Sequence, residues 1–396
     1  MARITRPRED EPIRLVFDKQ GRPRFRVTLD VAPKGAPRKQ ITATRDSLAA
    51  ARTFVTETRA RLAEGDYTQP SKVTLETLAT DWLASKRDVR EVTRSGYADA
   101  LAPVLDRLGR RAAQSITRRD VEGIMEALAT EGGRRGRPLS HRSLVYALGS
   151  LRQCLQYGVS TDVLRRNVAA DVKPRRKRKG DSAPVQIWEP GQLLAFRSHV
   201  TSTCDDWAHA AFMLATCGLR RSEVLGLRWS SVDLDAGTVL VESSRVKIGR
   251  GGATSLDDTK SDASTRTVAA EVMAPGTVAA LRSLRARQAA DRLKVGAAYE
   301  DTGLVIVNAL GQGIHPETYA LRWRSLRTTS GLPVIRLHAL RHSLATLMHR
   351  AGVAPADAAA VLGHTVATHL AFYVKPSESG AASAAAAVGE VFAAAR

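Results

Sequence analysis

"CGLRRSEVLGLRW", residues 217–229, is the stretch that decides the fold of the carboxyl-terminal half of this chain. Gly218 marks a turn between an apolar run and a new helix, so Arg220 is expected near a helix amino terminus. Anions bind well at such ends, because the first N–H groups have no partner within the helix. Glu223 follows three residues later, where its carboxylate would orient Arg220 or cap the helix. The pattern predicts a positioned cation that faces an anionic ligand.

A second stretch, "HALRHSLATLMHR" (338–350), is predicted to be a helix. Helical spacing brings His338, Arg341 and His342 within one turn and puts His338 and Arg341 on one face. Two histidines four residues apart also suit a metal site. A metallohydrolase of that type has a glutamate after its first histidine, where this chain has Ala339. We therefore predict no metal site, and a packing or capping role for His342.

A third stretch, "VLGHTVATHLAFYVKP" (361–376), places His364 nine residues before Tyr373. Alone, Tyr373 is readily explained as the end of the last helix, with a half-buried ring and a solvated hydroxyl. Lys260 lies on the turn "DDTKSDASTRTV" (257–268), at the end of a predicted hairpin from which it could reach inward.

The charge of the chain predicts a polyanionic partner. The 396 residues carry a formal net charge of +20, and 48 of the 60 basic residues are arginine, which grips phosphate through paired donors. Residues 71–184 are the most basic part, with 23 basic and 13 acidic side chains. Such an excess is typical of nucleic-acid-binding proteins, although codon usage in a GC-rich genome would also enrich arginine.

Cysteine usage and hydropathy indicate a reducing, cytoplasmic setting. Cys154, Cys204 and Cys217 form no Cys-x-x-Cys pair, which argues against a disulfide framework or a zinc–thiolate site. No run of eighteen apolar residues is present to span a membrane, and the amino terminus lacks an apolar stretch of signal-peptide type. We expect no membrane partner and no cofactor.

Three domains are expected. Residues 1–67 read as three short strands and an amphipathic helix with Asp46 as its N-cap. Residues 72–175 read as a bundle of four helices, with capping patterns at Thr74 and Thr117. The arginines of the first sheet would form a basic face that either enters a DNA groove or is simply solvated. These arginines are Arg22, Arg24 and Arg26.

Residues 183–396 read as an α+β domain with two helices, three strands and further helices. The segment "GRGGATSLDD" (249–258) is predicted to be a loop between the second and third strands. The alanine-rich tail would dock on another protomer or fray. Before this domain, "KPRRKRKG" (173–180) reads as a strap across a DNA backbone or as a solvated linker. Its basic residues are Lys173, Arg175, Arg176, Lys177, Arg178 and Lys179.

The motifs "TCGLRRSE", "TKSDASTRTV", "HALRHSLAT", "LGH" and the tyrosine nine residues later occur in this order within 185–380. Together they resemble the signature boxes of the tyrosine recombinases, the phage integrase family. Residues 71–175 resemble the core-binding domain of these integrases, with Val168 where the family often has proline. Residues 1–65 resemble their arm-type DNA-binding domain. The resemblance implies a multidomain, mainly α fold with small β-sheets and an α+β catalytic domain.

The resemblance also implies catalytic roles. Tyr373 would attack the scissile phosphate, form a 3'-phosphotyrosine link and release a 5'-hydroxyl. Arg220 and Arg341 would hold the non-bridging oxygens, for which two guanidiniums offer matching paired donors. Tyrosine, with a pKa of about 10, is a poor nucleophile at neutral pH and needs a nearby base or cations.

Three further roles follow from the same resemblance. His338 would accept the tyrosine proton or bond the phosphate, and His364 would donate to a phosphate oxygen. Lys260 would protonate the leaving 5'-oxygen, as a lysine can if cationic neighbours lower its pKa. His349 and His369 receive no role beyond a surface or core position.

The implied partners are two double-stranded DNA sites, a homotetramer on that DNA, and accessory DNA-bending or directionality proteins. The implied task is integration or excision of a phage or mobile element in the cytoplasm of a bacterium. Two alternatives stay open. A catalytically silent, recombinase-derived regulator would tolerate loss of Tyr373 or an arginine, and none of them is missing. A topoisomerase of the same chemistry would act on one site alone.

Overall fold

The computed structural model divides the chain into two compact units, Met1–Arg178 and Lys179–Arg396. The finer division into three domains stays a prediction. The structure describes residues 5–31, 40–63, 70–132, 136–176, 185–249, 252–258 and 265–373, and isolated positions between 386 and 393.

The first unit begins with a three-stranded antiparallel sheet and a helix. Its elements are β1 (Ile13–Phe17), β2 (Pro23–Asp30), β3 (Gln40–Arg45) and α1 (Leu48–Ala63), in the sheet order β1-β2-β3. Alternation buries Phe25, Val27 and Leu29 on one face of β2, because successive strand residues point to opposite sides. The helix that follows the sheet was predicted correctly. Its N-cap was not.

Ser47, rather than Asp46, caps α1. The Ser47 hydroxyl accepts a hydrogen bond from the Ala50 N–H at 3.1 Å, the bond that defines an N-cap. Asp46 pairs instead with Arg24 of β2. The sequence could not decide between the two residues, because serine and aspartate both cap helices well. What excludes Asp46 is its contact with Arg24, which depends on the tertiary fold.

The described residues of the first unit continue with four helices, as predicted. They are α2 (Leu75–Ser85), α3 (Glu91–Leu108), α4 (Arg118–Thr130) and α5 (His141–Ser160). The Thr74 hydroxyl caps α2, and Thr117 forms a reciprocal capping box with Asp120 at the start of α4. Leu75, Leu78 and Trp82 of α2 lie in a core shared by all four helices.

The second unit contains nine helices among its described residues. They are α6 (Pro190–Thr203), α7 (Trp207–Thr216), α8 (Arg221–Gly226), α9 (Ala270–Met273), α10 (Thr277–Val295), α11 (Pro316–Thr329), α12 (Ala339–Arg350), α13 (Pro355–Leu362) and α14 (Val366–Tyr373). Apolar residues surround α7 on most sides, and the run from Ala210 to Thr216 is fully buried. A helix that is apolar all round belongs in the middle of a core. This central helix ends four residues before Arg220 and so positions it.

Two small antiparallel sheets accompany these helices. Their strands are β4 (Val232–Asp233), β5 (Thr238–Val241), β6 (Ser243–Lys247), β7 (Thr254–Asp258) and β8 (Arg266–Val268), arranged as β4-β5-β8 and β6-β7. The predicted loop at 249–258 is therefore wrong in its second half, since β7 pairs with β6 from Ser243↔Asp258 to Lys247↔Thr254. Glycines and acidic residues obscured this strand, which is defined by its partner.

The predicted fold class, mainly α with small β-sheets, is confirmed. Within the described ranges, no helix combines the length and the apolar character needed to cross a bilayer.

Candidate active site

Arg220 lies at the start of α8 and is fixed by Glu223. The chain leaves α7 through Gly218, whose φ of +86° favours glycine, and a Cβ there would lie 2.8 Å from a methyl group of Leu362. Glu223 accepts hydrogen bonds from the Arg220 backbone N–H at 2.7 Å and from Arg220 Nη1 at 2.5 Å. Both predicted roles of Glu223, capping and orienting, are met by one carboxylate.

Glu223 is buried between two arginines. It is 4% exposed, and its second partner, Arg266 Nη2, lies 2.9 Å from Oε2. Burial alone would raise the pKa of Glu223, but the hydrogen bond and charge of Arg266, with the charge of Arg220, outweigh it and lower the pKa. The group therefore stays an anion at neutral pH.

Arg341 is a buried cation on the first turn of α12. It is 2% exposed, and its guanidinium donates to Gly218 O at 2.8 Å, to Leu362 O and to His364 Nδ1 at 2.9 Å. A buried guanidinium is tolerated only where acceptors satisfy it. These acceptors tie α12 both to the turn before Arg220 and to the turn before His364.

Three arginines converge on the turn 361–363, which we call the carbonyl turn. Its successive carbonyl oxygens accept hydrogen bonds from Arg266 Nε at 2.8 Å, from Arg341 Nη2 and from Arg220 Nη2 at 2.6 Å. Gly363 closes the turn with a φ of +61°. The turn therefore fixes the relative positions of the two arginines predicted to bind phosphate.

His338 shares a cleft of about 460 Å³ with Arg220 and Arg341. Its ring meets that of His342 edge to face, with centroids 5.0 Å apart, so the packing role predicted for His342 is confirmed. Desolvation, followed by the charges of His342, Arg341 and Arg220, lowers the pKa of His338 to about 4. A neutral imidazole is available at pH 7 to accept a proton.

His364 stands between Arg341 and His369. A guanidinium only donates, so His364 Nδ1 is an acceptor and the ring proton lies on Nε2, which is 3.2 Å from His369 Nδ1. Desolvation and the charge of Arg341 lower the pKa of His364 to about 4. His369 is fully buried, in keeping with a core position, and it holds His364 against α14.

The structure thus brings together four of the six predicted catalytic residues: Arg220, His338, Arg341 and His364. Tyr373 is the last residue of α14, and its side chain lies outside what the structure describes. Lys260 falls outside the described residues, between β7 and β8.

Residues 190–379, which contain this whole arrangement, match the model of the phage integrase family. This match assigns residues 190–379 to the phage integrase family, a segment of just under half of the chain.

Relatives agree with this match. The chain is 28% identical over 167 residues to the tyrosine recombinase XerC-like protein of Caldanaerobacter subterraneus, and the alignment spans 39% of this chain and 42% of the relative. It is 27% identical over 316 residues to tyrosine recombinase XerC of Alcanivorax borkumensis, spanning 76% and 91%. The aligned part is thus less than half of the first relative and nine tenths of the second.

Solved structures share the fold of this chain. The Tn1549 transposon integrase in complex with transposon right end DNA superposes with a TM-score of 0.61 at 20% identity, covering 78% of this chain and 98% of that one. The lambda integrase tetramer bound to a Holliday junction gives 0.54 at 15% identity, covering 94% and 99%. At these identities the likeness shows the fold alone.

The first sheet of the chain carries a basic outer face. Arg26 is exposed and lies directly across from Arg14 of β1 and Thr44 of β3. Like charges placed opposite one another destabilise a sheet, so this pairing favours an anionic ligand. Arg14 was missed because its partner is known only from the strand register. Arg22 and Arg24, by contrast, already pair with Asp18.

The predicted strap is only partly described. Lys173, Arg175 and Arg176 are exposed after the last turn of the bundle. Lys177, Arg178 and Lys179 lie outside the described residues.

A second surface of the first unit went unnoticed in the sequence. The Tyr146 ring of α5 is 45% exposed and lies 6.1 Å from the Tyr97 ring of α3. Arg142 is exposed one turn before Tyr146, and Arg94 is exposed one turn before Tyr97. Aromatic rings among arginines suit contact with nucleic acid. Helical spacing could have revealed each arginine–tyrosine pair in the sequence. Only the packing of α3 on α5 brings the two pairs together into one surface.

In the part of the chain that the structure describes, no three histidine, cysteine, aspartate or glutamate side chains are grouped as metal ligands would be.

Proposed function

We propose that this recombinase cleaves and rejoins DNA through a 3'-phosphotyrosine intermediate, and that it integrates or excises a phage or mobile element. The tyrosine oxygen of Tyr373 attacks the scissile phosphorus. The new O–P bond forms as the bond to the 5'-oxygen breaks. The tyrosine proton passes to a base, and the leaving 5'-oxygen takes up a proton. The phosphodiester energy is kept in the covalent link, so rejoining needs neither ATP nor a metal.

One observation carries the proposal. Arg220, His338 and Arg341 line a single cleft, and the carbonyl turn binds both arginines. Charge builds on the equatorial phosphate oxygens during attack, and two fixed guanidiniums stabilise it. Losing one fixed donor of this kind typically lowers the rate by about a hundredfold or more.

The histidines complete the assignment. His338 is neutral at pH 7 and accepts the tyrosine proton. His364 carries its proton on Nε2 and turns this N–H from His369 to a phosphate oxygen when DNA is bound, because a charge-assisted bond is stronger than a neutral one. Lys260 protonates the 5'-oxygen, and a 5'-thio leaving group, which needs no acid, should rescue Lys260→Ala.

The assembly follows the same proposal. Four protomers bring two double-stranded sites together in the bacterial cytoplasm, and accessory DNA-bending or directionality proteins set the outcome. The first unit binds DNA through the Arg14–Arg26 face, the Tyr146 surface and the exposed Lys173, Arg175 and Arg176 of the strap. The basic excess of residues 71–184 supports this role.

The test uses nicked suicide duplexes with a randomised centre, incubated with the full chain. We expect a covalent adduct on a denaturing gel, mapped by mass spectrometry to the peptide that contains Tyr373. Sequencing the trapped DNA would give the site. Tyr373→Phe should bind that site with unchanged affinity and form no adduct.

Two outcomes would overturn the proposal. Binding without any adduct would favour the silent regulator. An adduct that still forms with Tyr373→Phe would place the nucleophile elsewhere.

A further inference from the structure

Arg266 is a buried cation of the second unit that lies within the motif "TKSDASTRTV" but has so far been given no role in the reaction. It begins β8, and its side chain is 7% exposed. Its Nη2 and Nη1 donate to the two carboxylate oxygens of Glu223 at 2.9 and 3.3 Å, and its Nε donates to Val361 O at 2.8 Å. One guanidinium therefore joins the start of α8 to the carbonyl turn.

The first consequence concerns Arg220. Its Nη1 is held by Glu223 Oε1, and its side chain is 32% exposed toward the cleft. Glu223 in turn is bound from its buried side by Arg266. Without Arg266, the Glu223 carboxylate could move with Arg220 toward a phosphate. It would then compete with that phosphate for the positive charge of Arg220.

The second consequence concerns His364. Arg266 binds the first carbonyl of the carbonyl turn, and Arg341 and Arg220 bind the next two. His364 is the next residue after this turn. A bridge between Glu223 and Val361 thus sets the distance between Arg220 and His364.

We propose that Arg266 is a positioning residue of the cleavage reaction, which sets Arg220 through Glu223 and His364 through the Val361 carbonyl. It touches no substrate, since the described residues that line the cleft do not include it. This inference rests on the proposed function, because it needs a phosphate between the groups that Arg266 holds.

The experiment compares Arg266→Lys and Arg266→Gln with wild type in single-turnover cleavage of the duplex trapped by the wild-type protein. Lysine keeps the charge but cannot bridge Glu223 and Val361 at once. We expect Arg266→Lys to cleave about 10- to 100-fold more slowly, and Arg266→Gln to be slower still. Duplex affinity and the melting temperature of Arg266→Lys should stay close to wild type.

A second substrate separates positioning from folding. A neutral methylphosphonate at the scissile position removes charge that a well-placed Arg220 would balance. The ratio of wild-type to Arg266→Lys rates should therefore shrink on this substrate, whereas a folding defect would leave it the same. Arg197→Lys is the matched control, because Arg197 is a half-buried arginine that donates to Thr216 Oγ1 and to the Met273 carbonyl. Its cleavage rate should equal that of wild type.

Each outcome is decisive. No adduct with wild type would sink the proposed function and this inference with it. An active wild type with an equally active Arg266→Lys would sink only the inference. So would a loss of rate that is identical on phosphate and methylphosphonate, because that would assign Arg266 to structure alone.

Discussion

Alanine at Gly363 adds one methyl group at the point where the carbonyl turn meets Arg266. Gly363 has a φ of +61°, and a Cβ there would lie 2.5 Å from Arg266 Nη1. The guanidinium can move away only by giving up bonds to Glu223 or to Val361. Gly352→Ala is the matched control, since Gly352 has a φ of +75° and a Cβ there would have no neighbour within 4 Å.

The two variants share the cost of a left-handed backbone, about 1–2 kcal/mol. For a unit of this size, that lowers the melting temperature by roughly 2–8 °C. Gly363→Ala adds the loss of a buried ion pair, for which removal of a partner costs about 3–5 kcal/mol. We expect a further fall of roughly 6–20 °C, and cleavage slowed about a hundredfold as Arg220 loses its alignment.

The assay measures thermal unfolding by circular dichroism and single-turnover adduct formation at a temperature where both variants are folded. Gly352→Ala should cleave at the wild-type rate. If Gly363→Ala melts and cleaves like Gly352→Ala, the Arg266 contact does not order the site, and the reasoning fails.

Three further predictions concern conditions and binding. The pKa values of His338 and His364 are lowered from 6.5 to about 4, so between these pH values the unfolded chain binds more protons than the folded one. The free energy of unfolding should therefore fall as the pH drops from 6.5 to 4. A denaturant midpoint that does not change over this pH range would contradict the prediction. Affinity for a trapped duplex should fall steeply as the salt concentration rises. Arg26→Ala should reduce the slope of log K against log salt by about one. An unchanged slope would show that Arg26 does not contact the DNA. EDTA should leave adduct formation intact, and its loss in a gel assay would reinstate a metal.

Much of the fold could be predicted, because its signals are local. Hydroxyl caps at Thr74 and Thr117 and alternation along β2 each depend on residues a few positions apart. The misassigned cap and the missed strand depended on distant partners. Asp46 is occupied by Arg24, and Thr254–Asp258 becomes a strand only because β6 offers it a ladder.

The candidate site divides in the same way. Arg220, Arg341 and His364 stand in motifs and could be named in advance. Arg266 also stands in a motif and could have been suspected, since it shares a strand face with the buried Val268 and a buried arginine needs a carboxylate. Its partner Glu223 is 43 residues away, and no local pattern joins them. His369 became meaningful only once its ring was seen beside His364.

The carbonyl turn anchors its arginines through backbone oxygens rather than side chains. Every amino acid supplies a backbone carbonyl oxygen. These contacts therefore depend on the conformation of the main chain and not on the side chains at 361–363. The half-exposed Val361 side chain can therefore be substituted while all three arginines keep their hydrogen bonds to the backbone of the carbonyl turn. The bend at Gly363 is the part that must be kept.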